Sequence, residues 1–235
     1  VTLPGMGSHT LDFTVRSGEI LGIAGLTGSG RSRILRMLAG RQPPSAGTVR
    51  LGEHPIKVRS PRGAIAQGIV LLPEDRKRLG LILNQSVLNN VILSILRRLS
   101  RYGWLRAAVA RTHTAETVES LSIKTSGPGQ EVRLLSGGNQ QKVVLARCVS
   151  TRPNVLLLDE PLRGVDIGAK AEILHIVGEV ARGGAAIIVV SSEIEDVLAL
   201  TDRILVVHDG VLVGELSGEN ATESNVLALS SSRNE

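Results

Sequence analysis

Eight residues in the first part of the chain have the types and spacing of a loop that binds phosphate. Gly25-Leu-Thr-Gly-Ser-Gly-Arg-Ser32 follows an apolar run that predicts a strand and precedes a pattern that predicts a helix. Glycines let successive backbone N–H groups face an anion, and the helix N-terminus adds positive potential. The hydroxyl of Ser32 is suited to Mg²⁺. We expect phosphate contacts from Gly25, Thr27, Gly28, Ser29, Gly30, Arg31, Ser32 and Arg33.

Arg31 stands where the pattern G-x-x-x-x-G-K-[ST] has lysine. Lysine reaches the terminal phosphates as a compact point charge, whereas arginine is bulkier, planar and carries a fixed fork of donors. Positioning supplies most of the catalysis of phosphoryl transfer. We therefore expect nucleotide binding to survive this replacement better than phosphoryl transfer does.

A pair of acidic residues, Asp159 and Glu160, follows the apolar run that begins at Val155. In open α/β sheets, ligands bind at the C-terminal ends of the strands. Asp159 is therefore expected to hold Mg²⁺, and Glu160 to polarise an attacking water. The pair alone is a weak motif, because any strand can end in acidic residues, but the upstream phosphate loop makes the combination strong.

The composition limits the class of protein. The chain has 235 residues, of which 42% are hydrophobic and 21% charged, which suits a globular domain with a core. The three aromatic residues are too few for a nucleic-acid module that stacks bases on rings. The single cysteine excludes an internal disulfide. No apolar run approaches the ~20 residues of a spanning helix, and the signal-peptide pattern is absent from the N-terminus.

Basic residues are concentrated in residues 70–115, where eight of them stand against two acidic ones. Either an anionic partner, including a membrane surface, or a solvated arginine-rich helix explains this excess. Tyr102 and Trp104 lie in the same segment. They are interpreted either as packing between two helices or as an exposed patch that docks a partner.

Apolar periodicity predicts a mostly parallel sheet interrupted by a helical insertion. Runs at residues 19–26, 68–72, 155–158 and 185–190 predict buried strands, and a helix at 168–182 makes the last two a βαβ unit. Helical patterns at residues 86–101, 107–121 and 136–149 predict an all-helical insertion between two strands of the sheet. Asp209-Gly210 between two alternating runs predicts a hairpin, and the last 15 or so residues predict a weak helix.

A third motif, Leu135-Ser-Gly-Gly-Asn-Gln-Gln141, lies just ahead of the strand that carries the two acidic residues. With the phosphate loop, it makes the chain resemble the ATPase domain of ABC transporters. The resemblance implies an α/β fold of the P-loop NTPase (ABC ATPase) type, with a mostly parallel core sheet, an antiparallel β subdomain and an inserted helical subdomain. It implies one domain over residues 1–235. Residues 1–85 and 150–220 would form the core, about 86–149 the helical subdomain, and 221–235 a tail.

In this family two such domains face head to tail, and the signature of one contacts the nucleotide of the other. The resemblance implies this trans role for Ser136, Gly137, Gly138 and Gln140, and places Asp166 in the D-loop. It also implies ATP and Mg²⁺ as ligands, with Ser32, Glu74 and Asp159 as metal-binding residues and Glu160, Ser192 and Glu74 as catalytic ones.

Several positions depart from the family pattern. Glu74 replaces the usual glutamine, and Ser192 replaces the usual histidine. The family's aromatic residue that stacks on adenine has no counterpart. Phe13 is the only aromatic residue near the N-terminus, and its alternation with its neighbours predicts a core position. We expect the chain's own nucleotide site to be degenerate, and the isolated ATP hydrolase to be weak or inactive.

Four segments, Gly30-Arg-Ser32, Glu74-Asp-Arg-Lys-Arg78, Arg163-Gly-Val-Asp166 and Ser191-Ser-Glu193, make the chain similar to one subgroup, the second ATPase domain of tandem ribose, galactose and xylose importers. This implies a second ABC ATPase domain in the same polypeptide, membrane permease subunits, and indirectly a sugar-binding protein. It implies a cytoplasmic location, peripheral on the inner face of the cell membrane, and no nucleic-acid partner. Two alternatives stay open: a soluble ABC-type ATPase that acts on nucleic acid or the ribosome, and a regulatory module that binds nucleotide without hydrolysing it.

Overall fold

The computed structural model describes residues 2–4, 10–42 and 47–231. The strands are β1 (Thr2–Pro4), β2 (Thr10–Asp12), β3 (Ile20–Ala24), β4 (Val49–Leu51), β5 (His54–Ile56), β6 (Ile69–Leu72), β7 (Ser100–Arg101), β8 (Trp104–Leu105), β9 (Val155–Asp159), β10 (Ala186–Val190), β11 (Arg203–His208) and β12 (Val211–Ser217). The helices are α1 (Arg31–Leu38), α2 (Pro61–Ala66), α3 (Val87–Ile92), α4 (Leu96–Leu99), α5 (Ala107–Ser120), α6 (Gly137–Val149), α7 (Ile167–Arg182), α8 (Ile194–Leu200) and α9 (Glu223–Ser231).

The central sheet has the order β12-β11-β3-β10-β9-β6. The pairs β11–β3, β3–β10 and β10–β9 are parallel. Every residue of β3 and β10 is buried, which is why these strands read as continuous aliphatic runs in the sequence. The mostly parallel core sheet expected from the sequence is confirmed.

The sheet register places the ends of three strands side by side. Ile23 pairs with Val190, and Val190 pairs with Asp159. Because these strands are parallel, their C-terminal ends meet at one edge of the sheet. The loop after β3 and the residues after β9 and β10 are thereby brought together.

Four other pairs are antiparallel. β1 pairs with β2, β4 with β5, β7 with β8, and β11 with β12. Asp209 and Gly210 both have positive φ angles, of 46° and 74°, as a two-residue type I′ turn requires. The predicted hairpin at this position is confirmed.

The chain divides into two compact units. The first comprises residues 1–71, 153–161 and 180–235, and the second comprises 72–152 and 162–179. The second unit includes more of the chain than the helical subdomain expected at about 86–149. Its helices pack around a core that includes Ile92, Ile95, Leu99 and Ala110.

The sequence pattern predicts an all-helical insertion, but the second unit also contains two strands. A hairpin of two-residue strands, β7 and β8, interrupts it, and a single π-helical turn covers Arg76–Gly80. The helix expected over residues 86–101 is divided by a 3₁₀ turn at Leu93–Ile95 and ends at Leu99. Strands this short leave no alternation that a sequence pattern could reveal. Within the part of the chain that the structure describes, no helix is long and apolar enough to cross a membrane.

Candidate functional site

The phosphate loop runs from β3 to α1 and has the backbone of an anion cradle. Gly25, Gly28 and Gly30 have positive φ angles of 155°, 87° and 94°. A Cβ at Gly25 would lie 2.1 Å from the carbonyl oxygen of Val207, so only glycine fits there. Thr27 and Arg33 are exposed on either side of the turn.

One buried polar atom in this loop lacks a hydrogen-bond partner among the described residues. The atom is the Oγ of Ser29, whose side chain is 3% exposed. A buried hydroxyl without a partner is costly. An oxyanion held by the loop would supply the missing acceptor, so the loop fits a phosphate group.

Ser32 and Asp159 form the oxygen pair expected of a magnesium site. The Ser32 hydroxyl donates to Asp159 Oδ1 at 2.7 Å, and Asp159 is only 3% exposed. Hydroxyl and carboxylate oxygens are hard ligands of the kind that Mg²⁺ takes together with phosphates and water. These two residues therefore fit a magnesium ion bound with a nucleotide.

Glu160 is held in a strained and buried position directly after β9. Its φ angle is 53°, in the left-handed region that non-glycine residues rarely adopt, and its N–H donates to the carbonyl oxygen of Val190 at 2.8 Å. The hydroxyl of Ser192 donates to Glu160 Oε2 at 3.1 Å, and that of Ser191 at 3.4 Å. Two serine hydroxyls thus donate to the carboxylate of Glu160.

Arg31 reaches across the same edge of the sheet. Its Nη1 donates to the carbonyl oxygen of Ser191 at 2.5 Å. Burial lowers the pKa of Arg31, and the nearby carboxylates of Glu160 and Asp159 act in the opposite direction. Arginine remains protonated in proteins. A fixed positive charge therefore lies among the carboxylates that follow β9.

The signature segment opens α6 in the second unit. Ser136 is exposed, and its Oγ accepts from the side-chain amide of Asn139 at 2.9 Å. A Cβ at Gly138 would lie 2.4 Å from the Cβ of Ala169, so glycine is needed for this approach to α7. Gln140 is 6% exposed, and its amide donates to the Val132 and Leu135 carbonyls, which stabilises the turn before α6.

Arg76 joins two segments of the second unit, a contact that the sequence reasoning missed. Its guanidinium donates to the carbonyl oxygens of Arg163 at 2.8 Å and Gly164 at 3.1 Å. A Cβ at Gly137 would lie 2.9 Å from Arg76 Nη2, so the signature glycine makes room for this arginine. Burial lowers the pKa of Arg76, and the charge of Asp75 opposes that shift. In the sequence, the only indication of this contact is that residues 74–78 and 163–166 both belong to the pattern of the subgroup named above.

Glu74 and Asp166 also lie in the second unit. Glu74 forms an ion pair with Arg163, and Asp166 Oδ1 accepts from the N–H of Ala169 at 3.0 Å at the start of α7. Both are exposed. The roles implied for them in metal binding and in the D-loop stay predictions.

Four residues outside the motifs can be placed. Phe13 is buried in the core of the first unit, as predicted. Cys148 is buried, which raises the pKa of its thiol to about 12 and makes it a small apolar residue. Tyr102 is 87% exposed and Trp104 82%. Their exposure favours the docking interpretation over the packing one.

Comparisons with known proteins identify the family of the chain. The ABC transporter family profile matches residues 8–163. The "Ribose import ATP-binding protein RbsA" of Caldanaerobacter subterraneus subsp. tengcongensis is 42% identical over 97% of this chain and 46% of its own length. "Ribose import ATP-binding protein RbsA 1" of Burkholderia ambifaria is 47% identical over 88% of this chain and 40% of its own length. The chain thus spans less than half the length of these curated relatives.

Solved structures share the fold. A nucleotide-free ATP-binding cassette from an ABC transporter superposes with a TM-score of 0.79 at 22% identity, over 97% of this chain and 94% of the cassette. A dimeric cassette bound to ADP and Pi has a TM-score of 0.74 at 22% identity, over 92% and 96% of the two chains. Together with the matching family profile and the phosphate loop described above, these likenesses establish that the chain belongs to the ABC transporter family.

Proposed function

We propose that this chain is an ATP-binding domain that energises import of a monosaccharide through a membrane permease. The observation that carries the proposal is the meeting of the phosphate loop with the C-terminal end of β9, where Ser32 Oγ lies 2.7 Å from Asp159 Oδ1. The names of relatives that are 42% and 47% identical, both ribose import ATP-binding proteins, support sugar as the cargo.

Each residue at this edge of the first unit has a part in ATP binding and hydrolysis. The glycine cradle holds the phosphates, and Ser32 and Asp159 hold Mg²⁺, which neutralises charge on the phosphate oxygens. Glu160 orients the attacking water by accepting a hydrogen bond from it, and Ser192 keeps the carboxylate in place. Arg31 supplies positive charge from the lysine position.

We propose further that this site turns over slowly. Arg31 donates to the Ser191 carbonyl, so part of its fixed fork is directed to the protein itself. Ser192 offers a neutral hydroxyl where the family has an imidazole that contacts the γ-phosphate. Because loss of one transition-state donor costs about 100- to 1,000-fold in rate, binding without brisk hydrolysis is expected.

The signature would act on a partner domain. Ser136 is exposed at the N-terminus of α6, a 13-residue helix whose first backbone N–H groups form an anion site. We propose that Ser136, Gly137 and Gly138 complete the nucleotide site of a second ATPase domain. The relatives are more than twice as long as this chain, which leaves room for such a domain in the same polypeptide, with this one as its C-terminal half.

The other proposed partners follow from the role in import. The domain would lie at the inner face of the membrane on permease subunits, and a sugar-binding protein would act on the far side. One alternative has its own support. The arginine at position 31 and the serine at position 192 also suit a regulatory module that binds nucleotide and never hydrolyses it.

Nucleotide binding by calorimetry, with and without Mg²⁺, tests the proposed function. ATP is expected to bind the folded chain, and Mg²⁺ to strengthen binding. Failure of the folded chain to bind ATP would contradict the proposal. To separate the alternative, the turnover of the full-length protein is compared with and without Arg31→Ala. In a transporter, Arg31→Ala would change the hydrolysis rate at the partner domain's site only by changing how the two domains pair. Uptake of labelled ribose is therefore measured in parallel.

A further inference from the structure

The hairpin of β7 and β8 presents two aromatic rings to solvent. Arg101 pairs with Trp104 across the hairpin, and Tyr102 and Gly103 form its turn with φ angles of 51° and 83°. These values match a type I′ turn, which holds a two-residue hairpin in one shape. Tyr102 is 87% exposed and Trp104 82%. Rings of this size are seldom left so exposed without a partner.

The surroundings of the rings are basic and partly apolar. We define the hairpin surface as residues 96–106. It has four arginines and no acidic residue, and the sequence has no acidic residue between Arg76 and Ala115. Arg98 donates to the carbonyl oxygen of Ser150, whereas the side chain of Arg101 lies over the Tyr102 ring with Cζ 5.2 Å from its centre. The exposed arginines and leucines of the surface are Leu96, Arg97, Arg98, Arg101, Leu105 and Arg106.

We propose that the hairpin surface binds an anionic lipid bilayer by inserting Tyr102 and Trp104 at headgroup depth. Tryptophan and tyrosine favour this depth because their rings are apolar while the indole N–H and the phenol O–H keep polar partners. Arginines beside them are attracted to anionic headgroups. Charge complementarity therefore selects an anionic membrane surface as the occupant.

The size of the feature favours lipid over a protein partner. A stable protein complex buries about 800 Å² on each partner. A hairpin with two residues in each strand offers only a small part of that area, whereas two rings and nearby arginines suffice for attachment to a bilayer. The inference rests on the proposed function for the presence of a membrane nearby, but lipid binding itself needs neither nucleotide nor permease.

Trp104 makes the test specific to the site, because it is the only tryptophan in the chain. Its fluorescence is recorded with vesicles of phosphatidylcholine alone and with vesicles that also contain phosphatidylglycerol. We expect a blue shift with the anionic vesicles, and quenching by lipids brominated near the headgroup end of the acyl chain. No shift with anionic vesicles would overturn the inference, and so would a shift that appears only when permease is present in the membrane. ATP binding, measured separately, reports on the proposed function.

Matched charge variants separate this surface from a general attraction of a basic protein. Arg97, Arg101 and Arg106 are changed together to glutamine, and the control changes Arg50, Arg59 and Arg62, which are exposed residues of the first unit. Since each arginine near a membrane contributes a factor of about five in partitioning, the first set should weaken binding by about a hundredfold. The control set should weaken it much less. Equal losses would overturn the inference, and sedimentation with vesicles for Trp104→Ala adds a readout without fluorescence.

Discussion

Arg31 Nη1 lies 2.5 Å from the carbonyl oxygen of Ser191, the residue before Ser192. Arg31 and Ser192, the two residues that we propose slow turnover, thus lie at one edge of the sheet. Ser192 donates to Glu160, whose carboxylate opposes the lowering of the Arg31 pKa by burial. The altered residues interact with the same part of the site, so their effects on turnover are expected to be coupled.

Ser32→Ala is expected to weaken binding of MgATP about tenfold, with a much smaller effect on ATP in the absence of Mg²⁺. The reason is that Ser32 Oγ contacts Asp159 Oδ1 and is placed to bind the metal rather than the phosphates. Calorimetry with and without Mg²⁺ measures both affinities, and Ser120→Ala, at an exposed position on α5, is the control. Equal weakening in both conditions would argue against a metal role.

Ser136→Arg, made in the full-length protein, is expected to abolish hydrolysis at the partner domain's site. The bulky side chain would stand at the exposed N-terminus of α6, where a partner's phosphate is proposed to bind. ATP hydrolysis is measured at saturating MgATP, with Ser120→Arg as a charge-matched control. Unchanged hydrolysis in Ser136→Arg would refute the trans role.

The link between Arg76 and the Arg163 segment is expected to stabilise the second unit. Arg76→Met removes two hydrogen bonds from a charged donor, so the free energy of unfolding should fall by about 2 kcal/mol. Lys77→Met, in the same π-helical turn but exposed, should change it little. Urea denaturation measures both.

The same link explains why position 137 is glycine. Gly137→Ala should destabilise the chain, because the new Cβ would lie 2.9 Å from Arg76 Nη2. In an Arg76→Ala background the same substitution should cost less, since only the contact of the new Cβ with the carbonyl oxygen of Gly164, at 3.2 Å, then remains. Additive effects in this double-mutant cycle would show that Arg76 does not restrict the signature glycine.

The ion pair between Glu19 and Arg203 predicts a loss of stability in acid. Burial raises the pKa of Glu19, but hydrogen bonds from the Arg203 side chain and the Arg16 N–H lower it more, so the net shift is downward from 4.5. A carboxyl with a lowered pKa stabilises the fold fully above 4.5, and that contribution disappears as the pH falls through the folded-state pKa. Glu19→Gln should therefore be destabilised at neutral pH and lose less stability below pH 4.5 than the unmodified chain. Denaturant midpoints across this range measure the effect.

Glu53→Gln, at an exposed position, is the control for the acid experiment. Removal of the other partner is a second check. Arg203→Ala leaves the partly buried Glu19 without its cation and also removes the ion pair between Arg203 and Glu215, so it should cost about 3 kcal/mol at neutral pH. If Glu19→Gln and the unmodified chain lose stability in parallel in acid, the ion pair is not the cause.

The local motifs were predictable from the sequence. The loop from Gly25 to Ser32 joins a strand to a helix as its pattern predicted, and Asp209-Gly210 forms the expected hairpin. Both signals depend on neighbouring residues, namely glycines that tolerate positive φ and apolar periodicity on either side.

Contacts between distant residues were not predictable in the same way. Arg76 and Arg163 are 87 residues apart, and nothing local to either one indicates the other. Likewise, the hairpin that carries Trp104 has strands of two residues, too short for an alternating pattern. Tertiary packing decides both features.

ATP turnover by the unmodified chain tests the central claim most directly. At saturating MgATP, a folded chain that binds ATP is predicted to hydrolyse it slowly, and Arg31→Lys combined with Ser192→His to raise the rate by about tenfold or more. Each single substitution should raise the rate by less than it would if the two residues acted independently, because both act beside Glu160. Brisk turnover by the unmodified chain, with no gain in the double variant, would contradict the account.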